Sequence, residues 1–304
     1  MDTHGRWNGW IWGATLLAAL VVRSGSSAQR DEQGGGLPGV TTDFLRLPSG
    51  IALNYAVRGP ARGKPIVLLH GLGDSWRSYE LLMQHLPERY RVYVVSLRGH
   101  GLSDRPERGY TPDDMAHDVS ALLDMLDLRD VTLAGHSYGS FVAQAVAQRD
   151  GGRVGRLVLI GSGPAGLRDE MRTEVEAAFA TLSDPVDPEF IREFQRSTVY
   201  RPLPPAFFEL LCSELARVPA AVLKEMSRSM DGTANVARLR NIRVPTLVIW
   251  GDRDALFSRA EQEALTATIP DARLLVYRDT GHAPHWEEPE RVAQDLVAFT
   301  EKAS

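Results

Sequence analysis

Val131-Thr132-Leu133-Ala134-Gly135-His136-Ser137-Tyr138-Gly139-Ser140 decides how the rest of this chain is read. Val131 to Gly135 has the length and apolar character of a short buried strand, and Phe141, Val142, Ala145 and Val146 recur at helical spacing. Between them stands Gly135-His136-Ser137-Tyr138-Gly139, a G-x-S-x-G sequence. Such a sequence is read in two ways. It is either an ordinary Gly/Ser turn or a nucleophile elbow, in which a serine sits on a sharp strand-to-helix turn. The elbow reading explains both glycines, because the turn leaves no room for side chains two residues either side of the serine. It also explains the helix, whose N-terminal N–H groups point at the place where negative charge would develop. The strand before the motif and the helix after it are the context the elbow requires. It then needs an acid and a base downstream, in the order Ser, Asp or Glu, His.

Downstream, two strand ends supply these groups. After Val244–Trp250 comes Gly251-Asp252-Arg253-Asp254, and after Arg273–Tyr277 comes Asp279-Thr280-Gly281-His282-Ala283-Pro284-His285. A carboxylate or imidazole at the C-terminal end of a parallel strand lies at the sheet's binding edge. The neighbours Asp252 and His285 are the competing choices for acid and base.

The intervening sequence repeats strand and helix. Residues 42–47 and 51–57 flank Pro48-Ser49-Gly50 and read as an antiparallel hairpin. Pro65–Leu69 is continuously apolar, as a strand buried on both faces would be. It runs into His70-Gly71-Leu72-Gly73 and a helix over 76–86. The strand at 92–97 empties into Arg98-Gly99-His100-Gly101-Leu102-Ser103. Thr111-Pro112 opens a helix reaching about Leu126, with Thr as cap and Pro at its first position. Residues 156–160 are a further buried strand. From Pro164 to Arg243 the alternation stops. Helical patterns occupy 171–182, 188–197, 205–217 and 220–230, punctuated by prolines and with no strand among them, which is expected of a helical lid. Strand and helix resume at 244, ending in a helix over 289–302.

The chain is identified on these five motifs as a member of the α/β-hydrolase superfamily over residues 42–302: His70-Gly71-Leu72-Gly73, Arg98–Ser103, the elbow, Gly251–Asp254, and Gly281–Pro284 with Glu288-Pro289 behind it. The resemblance implies a mostly parallel, eight-stranded sheet with helices on both faces and a helical lid. It implies Ser137 as nucleophile, His282 as base, Asp254 as the orienting acid, and an oxyanion hole at the backbone N–H groups of Leu72 and Tyr138. It favours Asp254 over Asp252 as the acid and His282 over His285 as the base. One departure stands out. Many relatives carry an acidic residue two positions before the arginine of the Arg98 loop, where this chain has Ser96.

A serine nucleophile argues against haloalkane dehalogenases and epoxide hydrolases of this fold, which use Asp. It leaves ester, lactone, thioester or amide cleavage. Carbon–carbon bond hydrolases and cofactor-free haloperoxidases share the triad and stay open. For substrate contacts the candidates are Trp76 and Trp286 at the mouth and Phe207 and Phe208 in the lid, with Tyr200 and Leu210 beside them. The competing reading is that these aromatics pack the lid onto the sheet. A hydrolase fold used only to bind a ligand would show a damaged triad or a blocked pocket; all three triad members and both elbow glycines are present here.

Composition narrows the partners. The chain has 304 residues, 43% hydrophobic and 24% charged, with a formal net charge of −5 and one cysteine, Cys212. The charge leaves no footprint for nucleic acid. One cysteine forms no intrachain disulfide and is expected in the core. No metal or organic cofactor is expected, His282 and His285 lacking a third ligand for zinc. The partner is a small ester or lactone, and the oligomeric state is not legible. Arg6, the apolar run Trp10–Val22 and the small residues Ser26 and Ala28 form a signal-peptide pattern over residues 1–28, with cleavage expected after Ala28. The exported chain would then be secreted or periplasmic. An uncleaved membrane anchor is the alternative. Residues 29–41 read as a flexible linker, 42–163 and 244–304 as the two parts of the core, and 164–243 as the lid.

Overall fold

A computed structural model of the protein describes residues 37–302 apart from 150–151, 165 and 232–235. The expected signal segment and most of the linker lie outside the described residues. Strand β1, Val40–Arg46, starts two residues before the core was expected to begin. It pairs antiparallel with β2, Ala52–Arg58, from Val40 opposite Arg58 to Arg46 opposite Ala52, as the hairpin pattern implied.

The remaining strands are β3 (Lys64–Leu69), β4 (Tyr90–Val95), β5 (Val131–His136), β6 (Val154–Ile160), β7 (Thr246–Gly251) and β8 (Ala272–Tyr277). They form one eight-stranded sheet in the order β1-β2-β4-β3-β5-β6-β7-β8. β2 pairs antiparallel with β4, and every pair from β4 to β8 is parallel.

Both faces of the sheet are covered over β3–β7, which is why these strands read as continuous apolar runs and not as alternation. One face carries Val67, Leu69, Leu133 and Leu159 against α2 (Pro112–Met125) and α3 (Tyr138–Arg149). The other carries Ile66, Leu68, Val94, Ile160 and Ile249 against α1 (Glu80–His85) and α11 (Pro289–Thr300). Burying such a side chain contributes roughly 1.5–3 kcal/mol. Thr111 caps α2 reciprocally with Asp114, and Ser258 does the same with Glu261 for α9 (Arg259–Thr268), a helix whose bounds the sequence pattern left open.

Between β6 and β7 lie only helices among the described residues: α4 (Asp169–Ala180), α5 (Pro188–Ser197), α6 (Pro205–Leu215), α7 (Ala220–Arg228) and α8 (Val236–Leu239), with a short 3-10 turn after α7. Their apolar side chains, among them Phe179, Ile191, Cys212, Leu215 and Leu223, join the α2–α3 core. Cys212 is therefore a buried packing residue.

The strand order decides where a crevice opens at the sheet's edge. From β3 the chain moves outward to β4, then returns to place β5 on β3's other side. Loops leaving the carboxyl ends of β3 and β5 diverge and open a crevice. The loop after β3 carries Gly71 and Leu72, and the turn after β5 carries Ser137.

Candidate active site

Ser137 occupies the sharp turn between β5 and α3 with φ of +49°, a left-handed conformation that costs a non-glycine residue of order 1–3 kcal/mol. Its surroundings enforce it. The Ser137 N–H donates to the Ile160 carbonyl on β6, and the Ser137 carbonyl accepts from Ser140 N–H. The flanking glycines are demanded by contact. A Cβ on Gly139 would lie 2.3 Å from the His70 carbonyl oxygen, and one on Gly135 would lie 2.2 Å from the Gly139 carbonyl oxygen. Both clashes are with backbone, so no side chain can yield.

His282 and Asp254 meet from separate strand ends. His282 Nδ1 lies 3.0 Å from Asp254 Oδ2, both side chains being buried. Asp254 Oδ1 accepts the N–H groups of Leu256 and Phe257 at 2.8 and 3.1 Å, which fixes the carboxylate toward the ring. His282 Nε2 is buried and has no hydrogen-bond partner in the protein. It shares with Ser137 a small cavity of about 30 Å³, lined also by Gly71, Leu72, Asp74, His136, Phe194, Gln195, Thr198, Leu256 and Trp286. Asp252 serves differently: its Oδ1 accepts the Asp279 N–H and holds the turn after β8. His285 is buried between Tyr79, His136 and Trp286, with ring centroids 4.8, 4.4 and 5.2 Å away.

Leu72 lines the cavity. Tyr138 is the first residue of α3, where a backbone N–H has no helical carbonyl to meet. Its side chain turns away, the hydroxyl bonding the Tyr110 carbonyl and Ser229 Oγ. The Leu72 loop is held by two buried histidines. His100 Nε2 accepts the Gly73 N–H at 3.2 Å, and His70 Nε2 accepts the Leu97 N–H at 2.9 Å. Burial lowers both imidazoles, His100 to about 4, so each is neutral and able to accept. Burial likewise lowers His136 and His285.

Arg98 shows what replaces the missing acid at position 96. Its guanidinium grips Asp118 of α2 through two bonds of 2.6 Å. Ser96 instead accepts the Trp76 N–H, and Gly101 packs against its hydroxyl.

Of the four aromatic contact candidates, only Trp286 lines the cavity. Phe207 packs edge-on to Trp286 from behind, centroids 6.3 Å apart. Phe208 lies beneath the guanidinium groups of Arg192 and Arg196, and Trp76 packs on the α1–α11 core under Arg77. Tyr200 is exposed and stacks with Arg253. The competing expectation, that lid aromatics serve packing, describes Phe207 and Phe208. The insertion reaches the site through α5 instead. Phe194, Gln195 and Thr198 line the cavity, and the His282 N–H donates to the Thr198 carbonyl at 2.9 Å. Glu287 completes the tie. Its half-buried carboxylate, raised by partial burial, accepts the N–H groups of Gly281, Tyr200 and Arg201. The sequence carried no signal for these contacts beyond the 3.6 periodicity of α5. Among the described residues, no group of His, Cys, Asp and Glu is arranged to hold a metal ion, and no helix is long and apolar enough to cross a membrane.

A hydroxyl on a strained turn and an imidazole anchored to a carboxylate, with its far nitrogen free, are the groups of nucleophilic acyl transfer. Residues 66–295 match the sequence model of the alpha/beta hydrolase family. The chain belongs to this family. It is 34% identical over 254 residues to a pimeloyl-[acyl-carrier protein] methyl ester esterase of Aromatoleum aromaticum, covering 76% of this chain and 97% of the relative. It is 31% identical over 280 residues to a non-heme chloroperoxidase of Streptomyces lividans, covering 82% and 96%. Among solved structures, an esterase from Rhodococcus sp. ECU1013 superposes with a TM-score of 0.75 at 26% identity, over 86% of this chain and 99% of that one. An esterase from Exiguobacterium antarcticum shares the fold at a TM-score of 0.78 and 24% identity, over 85% and 99%. The chain is thus a carboxylesterase-like alpha/beta hydrolase.

Proposed function

We propose that this hydrolase cleaves a carboxylic ester or lactone of a small to medium, largely apolar substrate through an acyl-enzyme on Ser137. The observation that carries the reading is His282, its Nδ1 held by Asp254 and its Nε2 unpartnered in the cavity it shares with Ser137. With Nδ1–H donating to Asp254, Nε2 is the bare nitrogen. It takes the Ser137 proton as Oγ attacks the carbonyl, then returns that proton to the departing alcohol. Water repeats the sequence on the acyl-enzyme: it attacks the acyl carbon, His282 accepts its proton, and Ser137 recovers it as the acid leaves. The N–H groups of Leu72 and Tyr138 receive the oxyanion, each worth roughly 3–4 kcal/mol of barrier. The α4–α8 insertion acts as a lid that shapes the acyl pocket.

The test is hydrolysis of p-nitrophenyl acetate, butyrate and octanoate beside Ser137→Ala, with fluorophosphonate labelling of both proteins. Wild type is expected to turn over and to label, and the variant to do neither; losing such a nucleophile costs on the order of 10⁶ in kcat. Turnover that survives in Ser137→Ala would overturn the assignment. The likeness to a chloroperoxidase supports a haloperoxidase-like second reading. Peroxide-dependent bromination without ester turnover would favour it. Export belongs to the same proposal, on the pattern of residues 1–28. The N-terminus of the protein recovered outside the cytoplasm is expected at Gln29, and a recovered chain that keeps Met1 would overturn cleavage.

A further inference from the structure

The cavity beside Ser137 holds more polar groups than acyl transfer uses. Asp74, two residues after Leu72, is 2% exposed, and Gln195 of α5 is 1% exposed; both line the cavity. Asp74 Oδ1 and both amide atoms of Gln195 have no aligned hydrogen-bond partner. The Gln195 amide lies close enough to the Asp74 carboxyl to favour its charged form. A buried polar atom left unsatisfied is a standing cost that apolar side chains of the same size would remove. Three such atoms, brought together from two distant parts of the chain beside Ser137, can pair with a polar group of a bound molecule.

The chemistry of that group follows from its surroundings. No Arg or Lys lines the cavity, so no fixed positive charge there offsets an anionic substrate group. Burial holds the Asp74 carboxyl well above the usual carboxylate range, and Glu214 pushes the same way, against the Gln195 amide and the Gly71 N–H. A carboxyl that keeps its proton donates one hydrogen bond and accepts another, and an amide does the same. Their complement is a neutral oxygen that donates or accepts. Alkyl chains leave all three atoms unpaired.

We propose that Asp74 and Gln195 form a polar subsite that hydrogen-bonds a hydroxyl or carbonyl oxygen of the substrate close to the scissile carbonyl. The preferred substrates are then hydroxylated or oxo esters, not plain alkyl esters. The inference rests on Ser137 as nucleophile and deepens that reading by naming the substrate class. Asp74 and Gln195 are specificity residues here, and Ser137 and His282 perform the chemistry without them.

The experiment compares two matched ester pairs on the full protein. p-Nitrophenyl 3-hydroxybutyrate against the butyrate places the hydroxyl on the acyl side. 2-Hydroxyethyl butyrate against propyl butyrate places it on the alcohol side. Wild type is expected to prefer the hydroxylated member of at least one pair by about 10-fold or more in kcat/KM, since sites built for a hydroxyl discriminate strongly against its absence. Gln195→Met, which keeps the side chain's length, and Asp74→Leu are each expected to bring that ratio to within about threefold of unity. Either folded variant decides the matter if the other fails to fold. Ratios near unity in wild type, or unchanged in the folded variant, overturn the subsite while ester turnover upholds Ser137. Fluorophosphonate labelling without turnover of a hydroxylated ester also overturns the subsite. Neither labelling nor turnover overturns the serine reading and the subsite with it.

Discussion

Asp254 offers its two oxygens to different partners, and this makes its amide analogue informative. Oδ1 accepts the Leu256 and Phe257 N–H groups while Oδ2 meets His282 Nδ1. In Asp254→Asn the single carbonyl oxygen satisfies the two loop N–H groups, so the amide NH₂ faces the imidazole. Two donors then oppose each other unless the ring moves its proton to Nε2, the nitrogen that must accept from Ser137. The fold survives and the tautomer is wrong. We expect kcat on p-nitrophenyl butyrate to fall by about 10⁴-fold with the melting temperature within a few degrees of wild type. A fall smaller than about 10-fold would remove Asp254 from the triad. That Ser137, Asp254 and His282 lie at neighbouring strand ends was legible in the sequence, because each sits within a short motif that backbone geometry demands. Asp74 and Gln195 were not, because nothing in a helical segment tells which polar residue faces inward without the neighbour it faces.

The loops that frame the serine are held as elements, through histidines that must stay neutral. His100 accepts the Gly73 N–H beside Leu72, and its own loop is anchored by Arg98 gripping Asp118 on α2. Burial lowers His100 to about 4, against about 6.5 in an unfolded chain. Between these values the unfolded state binds a proton that the folded state refuses. Stability from this group is therefore complete above about pH 6.5 and is lost as pH falls toward 4. By pH 4.5 the loss reaches about 2–3 kcal/mol. His70, His136 and His285, lowered for the same reason, act in the same direction. His100→Gln keeps an oxygen for the Gly73 N–H and removes the titration. In urea melts its stability is expected to decline less steeply than wild type's between pH 6.5 and 4.5, by roughly that amount. A parallel decline would show that His100 has no part in the acid sensitivity. Ser96 marked a departure in the Arg98 loop without naming the partner that Arg98 takes. Asp118 is 20 residues from Arg98, and long-range pairing of that kind leaves no local trace.

At the scale of the molecule, strand order and insertion divide the work. Strand patterning was readable because both sheet faces are buried, giving continuous apolar runs, and caps such as Thr111 mark helix starts from local chemistry alone. The limits of α5 were readable too, since Pro188 opens it and Asp187 caps it. Trp286 was readable as a cavity residue from its place after the His282 loop, but the lid aromatics were not, because Phe194, Phe207 and Phe208 all lie in helices and only packing decides which side meets the cavity. Among these three, Phe194 is the one that does, meeting Phe179 edge-on and stacking on Phe190 with centroids 5.6 and 6.3 Å away. The cavity of about 30 Å³ has room for little more than one water. An acyl chain must therefore displace side chains of the insertion, while the sheet and its loops stay fixed by backbone contacts. Phe194→Ala removes the bulkiest movable wall. We expect the ratio of kcat/KM for p-nitrophenyl octanoate over acetate to rise by about 10-fold or more, an amount equivalent to one or two buried methylenes. Some stability is lost with the Phe194 contacts to Phe179 and Phe190, up to about 3–5 kcal/mol, so the assay is run well below the variant's melting temperature. If the folded variant keeps the wild-type ratio, the acyl chain runs elsewhere than along α5, and the insertion covers the site without measuring the substrate.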